Sequence, residues 1–471
     1  MGIHQTAAFE CLVENVIKAY KGVGLAVAII DAKQTHYQKF WGFRDLEAEL
    51  PVDASTVFGL ASITKSFTCL AIMQLQEAGK LKVSDPVTAY IPEFSYPGTG
   101  VLTVENLMAH NGGYEPQPAL RWSIMQHTEM DDVSETEKRQ IAKWDQIFPV
   151  KRMDSFADMI AHLSDAQQQL LGSPGEVFSY SNDTYGVLGE IIKRVSGAAS
   201  YEEYMEENIL KPLGMERSLF AAEDLVDMEN VTKLYVIKKD NPQEFPHWQA
   251  APAFTPCGFL KSTLDDMKKY LSMYIQKGNT SEKRLLSTAG IADMLRPRQP
   301  SLHQRYYGYG LSIQSVDDIH IIEHGGSLSG VSTHIAWSPE IGKGVVVLCN
   351  TSGVPVAKIA TAALMWCNEQ PVDRERISFR KMNWSKEMCE ALVGDYLAGE
   401  GSTYQISLDE IGKPQIRFNE EETWHQIEPV LPELGLVKIK MNETELRPLF
   451  NDQGYIWAMM YGNRTVPRRR K

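Results

Sequence analysis

Strand-forming runs lie at both ends of the first 370 residues, with helical periodicity between them. This order constrains the fold more than any other feature of the chain. Residues 24–32 are apolar and β-branched, and an aromatic-rich run at 35–43 follows the polar pair Lys33-Gln34, the pattern of a hairpin. Strand character returns only at 307–314, 320–323, 333–338 and 344–350, each run short and bounded by turn residues. Between the two groups, apolar residues recur at helical spacing over 61–75, as at Ile63, Phe67, Leu70 and Ala71, and again over 185–195, 201–210 and 264–277. Gly79 and Pro86 end the first of these helices. One antiparallel sheet built from both ends of the segment, with helices on its faces, accommodates that order. The class is therefore α/β of the α+β type.

Beyond a helix at 356–367 comes a polar junction, 368–386, and then strand after strand with Gly and Asn turns. The clearest are 404–408, 415–419, 436–441 and 455–461, which together predict a small all-β unit, barrel or sandwich. The stretch 112–149 reads as a mostly helical excursion over a cleft, and its charge run, Asp131 to Arg139, as a solvated helix face.

Composition removes several classes of function. Hydrophobic residues make up 43% and charged residues 23% of 471, enough apolar content for a large core and incompatible with general disorder. With 60 acidic and 47 basic residues the formal net charge is −13, a field that repels phosphate backbones and anionic membranes. The one basic run, Arg468 to Lys471, is a terminal tail. No partner of nucleic-acid or membrane type is expected, and no segment of about 18 apolar residues predicts a transmembrane helix. Six scattered cysteines form no CxxC pair, so neither a metal site nor a disulfide framework is predicted. Residues 1–10 carry no signal-peptide pattern, and a cytoplasmic location is expected.

The chemistry rests on three short elements. Ser62-Ile63-Thr64-Lys65 stands at the head of the buried helix, where residues three apart share a face and place the lysine nitrogen beside the serine hydroxyl. A serine hydroxyl becomes a good nucleophile only when a neighbour takes its proton, and a desolvated lysine can do so. Tyr180-Ser181-Asn182 supplies a phenol and an amide on one turn, and His324-Gly325-Gly326-Ser327 sits between short strands. Each pattern has a decoy, at Ser378-Phe379-Arg380-Lys381, Tyr461-Gly462-Asn463 and His110-Asn111-Gly112. Only the first set has the expected helix, loop and strand contexts. His110 reads as a turn-stabilising residue, and Trp122, Trp144, His247 and Trp248 as core or pocket aromatics.

Together with their flanks, these elements resemble the serine β-lactamase and penicillin-binding-protein superfamily, in its class C β-lactamase, family VIII esterase and D-aminopeptidase branch. The resemblance covers roughly residues 10–368. It includes Phe58 to Phe67, Leu107-Met108-Ala109-His110-Asn111-Gly112-Gly113, Pro174-Gly175-Glu176, Lys211-Pro212-Leu213-Gly214-Met215 and Tyr307-Gly308-Tyr309-Gly310-Leu311. It implies a β-lactamase/transpeptidase-like catalytic domain over 1–370, a junction at 371–386 and a small lipocalin-like β-barrel domain over 387–471. By the same resemblance Ser62 is the acylated nucleophile, Lys65 shares in proton transfer, and Tyr180 is general base and acid. Asn182 orients the substrate, and the backbone N–H groups of Ser62 and Ser327 form the oxyanion hole, with Gly325 and Gly326 allowing close approach. β-Lactamases usually carry Lys where this chain has His324, so strong carboxylate recognition and more than minor β-lactamase activity are not expected.

The resulting expectation is a serine hydrolase that needs neither metal nor organic cofactor. Its partner is a small-molecule ester, amide or short peptide, as for an esterase or a peptidase of D-residues. The alternatives are an acyltransferase of natural-product biosynthesis using the same acyl-enzyme, and a ligand-binding member without catalysis.

Overall fold

The computed structural model describes residues 3–127, 142, 145–146, 149–280, 283–419 and 421–469. Its centre is a nine-stranded antiparallel sheet drawn from both ends of the first 350 residues. From edge to edge the strands are Leu50–Pro51, Thr35–Asp45, Gly24–Ile30, Lys343–Cys349, Val331–Ser338, Ile319–Leu328, Ser312–Val316, Arg305–Tyr307 and Gln299–Leu302. The first and last strand groups meet where Leu25 pairs Cys349 and Ile30 pairs Gly344.

Strand alternation divides this sheet between two cores. Ala26, Ala28 and Ile30 face one side, with Val346 and Leu348, while Leu25, Val27 and Ile29 face the other, with Val345 and Val347. The first core is closed by the helices Thr64–Glu77, Asp183–Ser196 and Leu264–Ile275, through residues such as Phe67, Leu188 and Leu271. The second is closed by Ile3–Tyr20 and Val356–Cys367, through Phe9, Val13, Val16, Ile359 and Trp366. Burial on both faces explains why Gly24–Ile30 is apolar throughout rather than alternating.

The expected helices are present with small differences. The 61–75 segment opens as a 3₁₀ turn, Ala61–Ile63, before the α-helix Thr64–Glu77, and 201–210 becomes a short α-helix, Tyr201–Met205, continued as a π-helix, Glu206–Leu210. The run 307–314 is corrected: it is two strands, broken at Gly308 to Leu311. A Cβ at Gly310, whose φ is +68°, would come within 2.7 Å of the Lys65 carbonyl oxygen. The break therefore lets this connection press on the helix Thr64–Glu77, which the local strand pattern could not reveal. His324 to Ser327 lies inside the strand Ile319–Leu328 and not between strands. The helix Ile3–Tyr20 and the hairpin Leu234–Lys238/Asn241–Phe245 carry no clear signal in the sequence. Asp131 to Arg139 and Trp144 lie outside the described residues.

After the short helix Lys386–Leu392, eight strands follow one another as an antiparallel meander, Gly394–Leu397 through Arg464–Pro467. A bridge between Tyr396 and Arg468 brings the last strand back to the first and nearly closes a barrel. Its interior holds Ile406, Ile416, Ile427, Val437, Leu446, Met459 and Val466. The chain thus combines a β-lactamase/transpeptidase-like fold with a small β-barrel. All six cysteines are free. Among the described residues, no helix is long and apolar enough to cross a membrane, and no cluster of His, Cys, Asp or Glu could hold a metal ion.

Candidate active site

Ser62 sits in a tight turn whose strain is visible in the backbone. Ala61, immediately before it, has φ +46°, a left-handed conformation that costs a residue with a Cβ about 1 kcal/mol or more. The surroundings hold the turn in place: Thr64 Oγ1 donates to the Ala61 carbonyl at 2.7 Å, and Leu60 N–H donates to Leu260 O at 2.9 Å. Ser62 is partly exposed, and the chain then enters the buried helix.

Lys65, one turn on, is fully buried. Its Nζ lies 3.2 Å from Ser62 Oγ, 2.8 Å from Asn182 Oδ1 and 2.9 Å from the Cys257 carbonyl oxygen. The same nitrogen stands 4.7 Å from the centre of the Tyr180 ring. One side chain thus ties together residues 62, 180 and 182. The Tyr180 hydroxyl is buried and has no hydrogen-bond partner in the protein.

Tyr180 is held by His110. The His110 carbonyl accepts from Ser179 N–H at 2.9 Å, its Nδ1 accepts from Ser181 N–H at 3.1 Å, and its ring centre is 4.2 Å from that of Tyr180. Burial, then the nearby Lys65, pushes the His110 imidazole well below its ordinary range, so it stays neutral and can accept at Nδ1. His110 adopts φ +56°, as the bend that brings it under Tyr180 requires. The turn-stabilising reading of this residue is thereby tied to the turn that carries Tyr180.

The third element approaches from the sheet. Residues up to 323 of the strand Ile319–Leu328 pair with Ser312–Val316 on one side, but 324–328 keep only Val331–Ser338 as a neighbour. Their free edge packs on the Leu60–Ile63 turn. A Cβ at Gly326 would fall 2.0 Å from the Leu60 carbonyl oxygen, and Thr333 Oγ1 donates to that same oxygen at 2.9 Å. Gly326 therefore permits close approach of the strand to the Leu60–Ile63 turn. Ser327 follows on the strand and is exposed.

His324 is buried, and both its ring nitrogens are engaged within the protein. Nδ1 donates to the Gly325 carbonyl at 2.7 Å, which leaves Nε2 to accept from the Tyr307 hydroxyl at 2.9 Å. Burial and then Lys65 push this imidazole down to about 3, so it is uncharged at neutral pH. Beneath the strand, Glu323 accepts from Arg376 at 2.7 and 2.6 Å and contacts His334 Nε2 at 3.0 Å.

Among the other aromatics, Trp122 is core and packs edge-on against His162. Trp248 lines a small apolar cavity with Ala61, Leu234, Leu328 and Val331 behind the Leu60–Ile63 turn. The second Ser-x-x-Lys, at 378–381, is on the surface, with the Lys381 side chain 74% exposed, far from the burial that a proton-transfer lysine needs.

The Ser62 turn, the buried Lys65 and Tyr180 thus lie together beside a glycine-bearing strand. The sequence model of the family described as Beta-lactamase matches residues 9–366. This chain belongs to the beta-lactamase family. Within it, Protein flp of Staphylococcus aureus (strain MW2) is 25% identical over 390 residues, covering 78% of this chain and 67% of that protein. A D-aminopeptidase of Gluconobacter oxydans (strain 621H) is 26% identical over 450 residues, covering 93% of this chain and 75% of that protein. The octameric penicillin-binding protein homologue from Pyrococcus abyssi superposes with a TM-score of 0.69 at 26% identity, over 98% of this chain and 99% of that one. The family is one of serine hydrolases, and that relative spans the barrel as well as the helix–sheet body.

Four residues near the site lacked a sequence signal. Cys257 offers only its carbonyl, Thr333 only its hydroxyl, and Met460 and Arg464 come from the barrel: Met460 packs with Phe178, Tyr180 and Tyr307, and the Arg464 guanidinium carbon is 4.8 Å from the Tyr180 ring centre. No local pattern marks a residue whose partner lies nearly 300 positions away.

Proposed function

We propose that the chain is a serine hydrolase that cleaves a small ester or amide through an acyl-enzyme on Ser62. The observation that carries this reading is the single Lys65 nitrogen, within hydrogen-bond reach of Ser62 Oγ and Asn182 Oδ1 and under the Tyr180 ring. Ser62 Oγ attacks the carbonyl carbon as its proton passes to the Lys65/Tyr180 pair. The carbonyl oxygen becomes an oxyanion held by the Ser62 and Ser327 N–H groups. Each such preset donor contributes about 2.7–4 kcal/mol to transition-state stabilisation. Collapse expels the alcohol or amine, which takes the proton back from Tyr180. Water then repeats the sequence in reverse and frees Ser62. Asn182, fixed by Lys65, orients the substrate amide or ester.

An uncharged His324 with both nitrogens occupied offers no cation to a substrate carboxylate, which favours neutral esters, amides and short peptides over β-lactams. The D-aminopeptidase relative supports a D-residue amide as a substrate class to try first. The test is intact-protein mass spectrometry after a small fluorophosphonate, with peptide mapping, on wild type and Ser62→Ala. One adduct on Ser62, absent from the variant, is expected. An adduct elsewhere, or none on a folded wild type, overturns the assignment.

A further inference from the structure

Among the described residues, the barrel reaches the site through the hairpin of its last two strands, Ile456–Tyr461 and Arg464–Pro467. Three contacts from this hairpin grip the segment that carries Tyr180. The Tyr180 N–H donates to the Asn463 carbonyl at 3.1 Å, Thr465 Oγ1 donates to the Phe178 carbonyl at 2.7 Å, and Arg464 lies over the Tyr180 ring. Arg464 is itself held from within the barrel: its Nε donates to Glu400 Oε1 at 3.1 Å and to Oε2 at 3.3 Å. Glu400 belongs to the loop whose Gly399 packs so closely on the Pro116 carbonyl that a Cβ there would come within 2.3 Å. The Glu400–Arg464 pair is thus anchored on both sides of the seam.

We propose that Arg464, held by Glu400, is a positioning residue for Tyr180, and that the barrel is a working part of the active site. This rests on the proposed role of Tyr180 in proton transfer. Tyr180 is surrounded by groups from every side: Lys65 at 4.7 Å and Arg464 at 4.8 Å from its ring centre, the His110 ring at 4.2 Å, the His324 ring at 6.1 Å and the Tyr307 ring at 6.2 Å. Both imidazoles are uncharged, so Lys65 and Arg464 are the basic side chains packed on the ring. A phenol that gives up and regains a proton gains from a fixed positive charge over its ring, and the cation–π contact also limits how the ring can tilt. Of the two basic side chains, Arg464 is the one that the helix–sheet body does not contain.

The test follows burst-phase acylation of Ser62 by p-nitrophenyl acetate in the full chain, with Arg464→Met, Arg464→Lys and Thr465→Val. Acetate is too small to depend on distant substrate contacts, so a positioning role is read in the burst (acylation) rate constant, with the substrate concentration at half-saturation of the burst rate little changed. Arg464→Met is expected to lose on the order of 10²-fold in acylation rate. Arg464→Lys, which restores the charge, is expected to recover at least a tenth of the wild-type rate. Thr465→Val removes a docking hydrogen bond and no charge, and is expected to change the rate by only a few-fold. A wild type acylated on Ser62 alongside an Arg464→Met variant that matches its rate overturns this inference alone. A fall that Lys does not recover and Thr465→Val reproduces reduces Arg464 to a docking contact and also overturns it. A wild type that never acylates Ser62 overturns the proposed function and this inference with it.

Discussion

The contact between Gly326 and the turn that carries Ser62 makes the sharpest prediction. A methyl group at residue 326 would stand 2.0 Å from the Leu60 carbonyl oxygen, 2.4 Å from Thr333 Oγ1 and 3.1 Å from the Leu60 carbonyl carbon. Carbon and oxygen approach comfortably at about 3.3 Å, so Gly326→Ala must open this seam by roughly 1.3 Å. Two of the three crowding atoms are backbone, and the third is a buried hydroxyl already bonded to one of them. The strain divides between folding and catalysis. Overpacking of this kind costs about 1–3 kcal/mol of stability, a shift of a few degrees in Tm. With the proposed oxyanion hole at Ser327, moving this strand about 1 Å from Ser62 costs on the order of 10²-fold in rate. The assay is the rate of fluorophosphonate labelling of Ser62, with Tm measured on the same samples. Gly325→Ala is the internal control: its Cβ would meet His334 Nδ1 at 3.1 Å, a mild contact with a side chain on the other side of the strand. Its labelling rate is expected to stay within several-fold of wild type. A Gly326→Ala protein labelled at the wild-type rate, or a Gly325→Ala protein equally impaired, would refute the claim that this contact sets the distance from strand to nucleophile.

Two further perturbations probe buried charge. Burial pushes Asp183 up to about 7, and its Oδ1 has no partner. An acid whose native pKa is raised loses stability as pH rises from about 4, where the unfolded carboxyl ionises, through 7, by about 4 kcal/mol in all. Glu115, also pushed by burial to about 7, adds to the same slope. Urea unfolding from pH 5 to 8 should therefore show falling stability, and Asp183→Asn should flatten that fall; an unchanged slope in the variant would exclude Asp183 as its source. Glu323 is the opposite case: burial would raise it, but Arg376 and Arg305 more than offset this and hold it well below the carboxylate range. Arg376→Met leaves a buried carboxylate with fewer partners and is expected to cost about 3 kcal/mol at pH 7, read as a lower urea midpoint, with the deficit shrinking as acid protonates Glu323.

How much of this was legible in the chain depends on the range of each interaction. Ser62 and Lys65 were readable because three residues of helix bring them together, and Val356–Cys367 because its apolar period is local. The antiparallel sheet followed from the order of strands and helices, and the small β unit from its repeated turns. The gathering of Ser62, Tyr180 and Asn182 around one nitrogen was expected only from the family resemblance.

Contacts between distant segments were decided in three dimensions. The glycine break at 308–311 exists because the Lys65 backbone fills the space a Cβ would need. His324 turns inward because Tyr307 offers its nitrogen a hydroxyl, and His110 takes a left-handed bend to hold Tyr180. Arg464 joins the site because a barrel hairpin docks on residues 178–180. Local periodicity records how a segment folds on itself and which face it buries. It holds no information about which remote group will occupy the adjoining space, and that space is set by packing, burial and charge in the assembled fold.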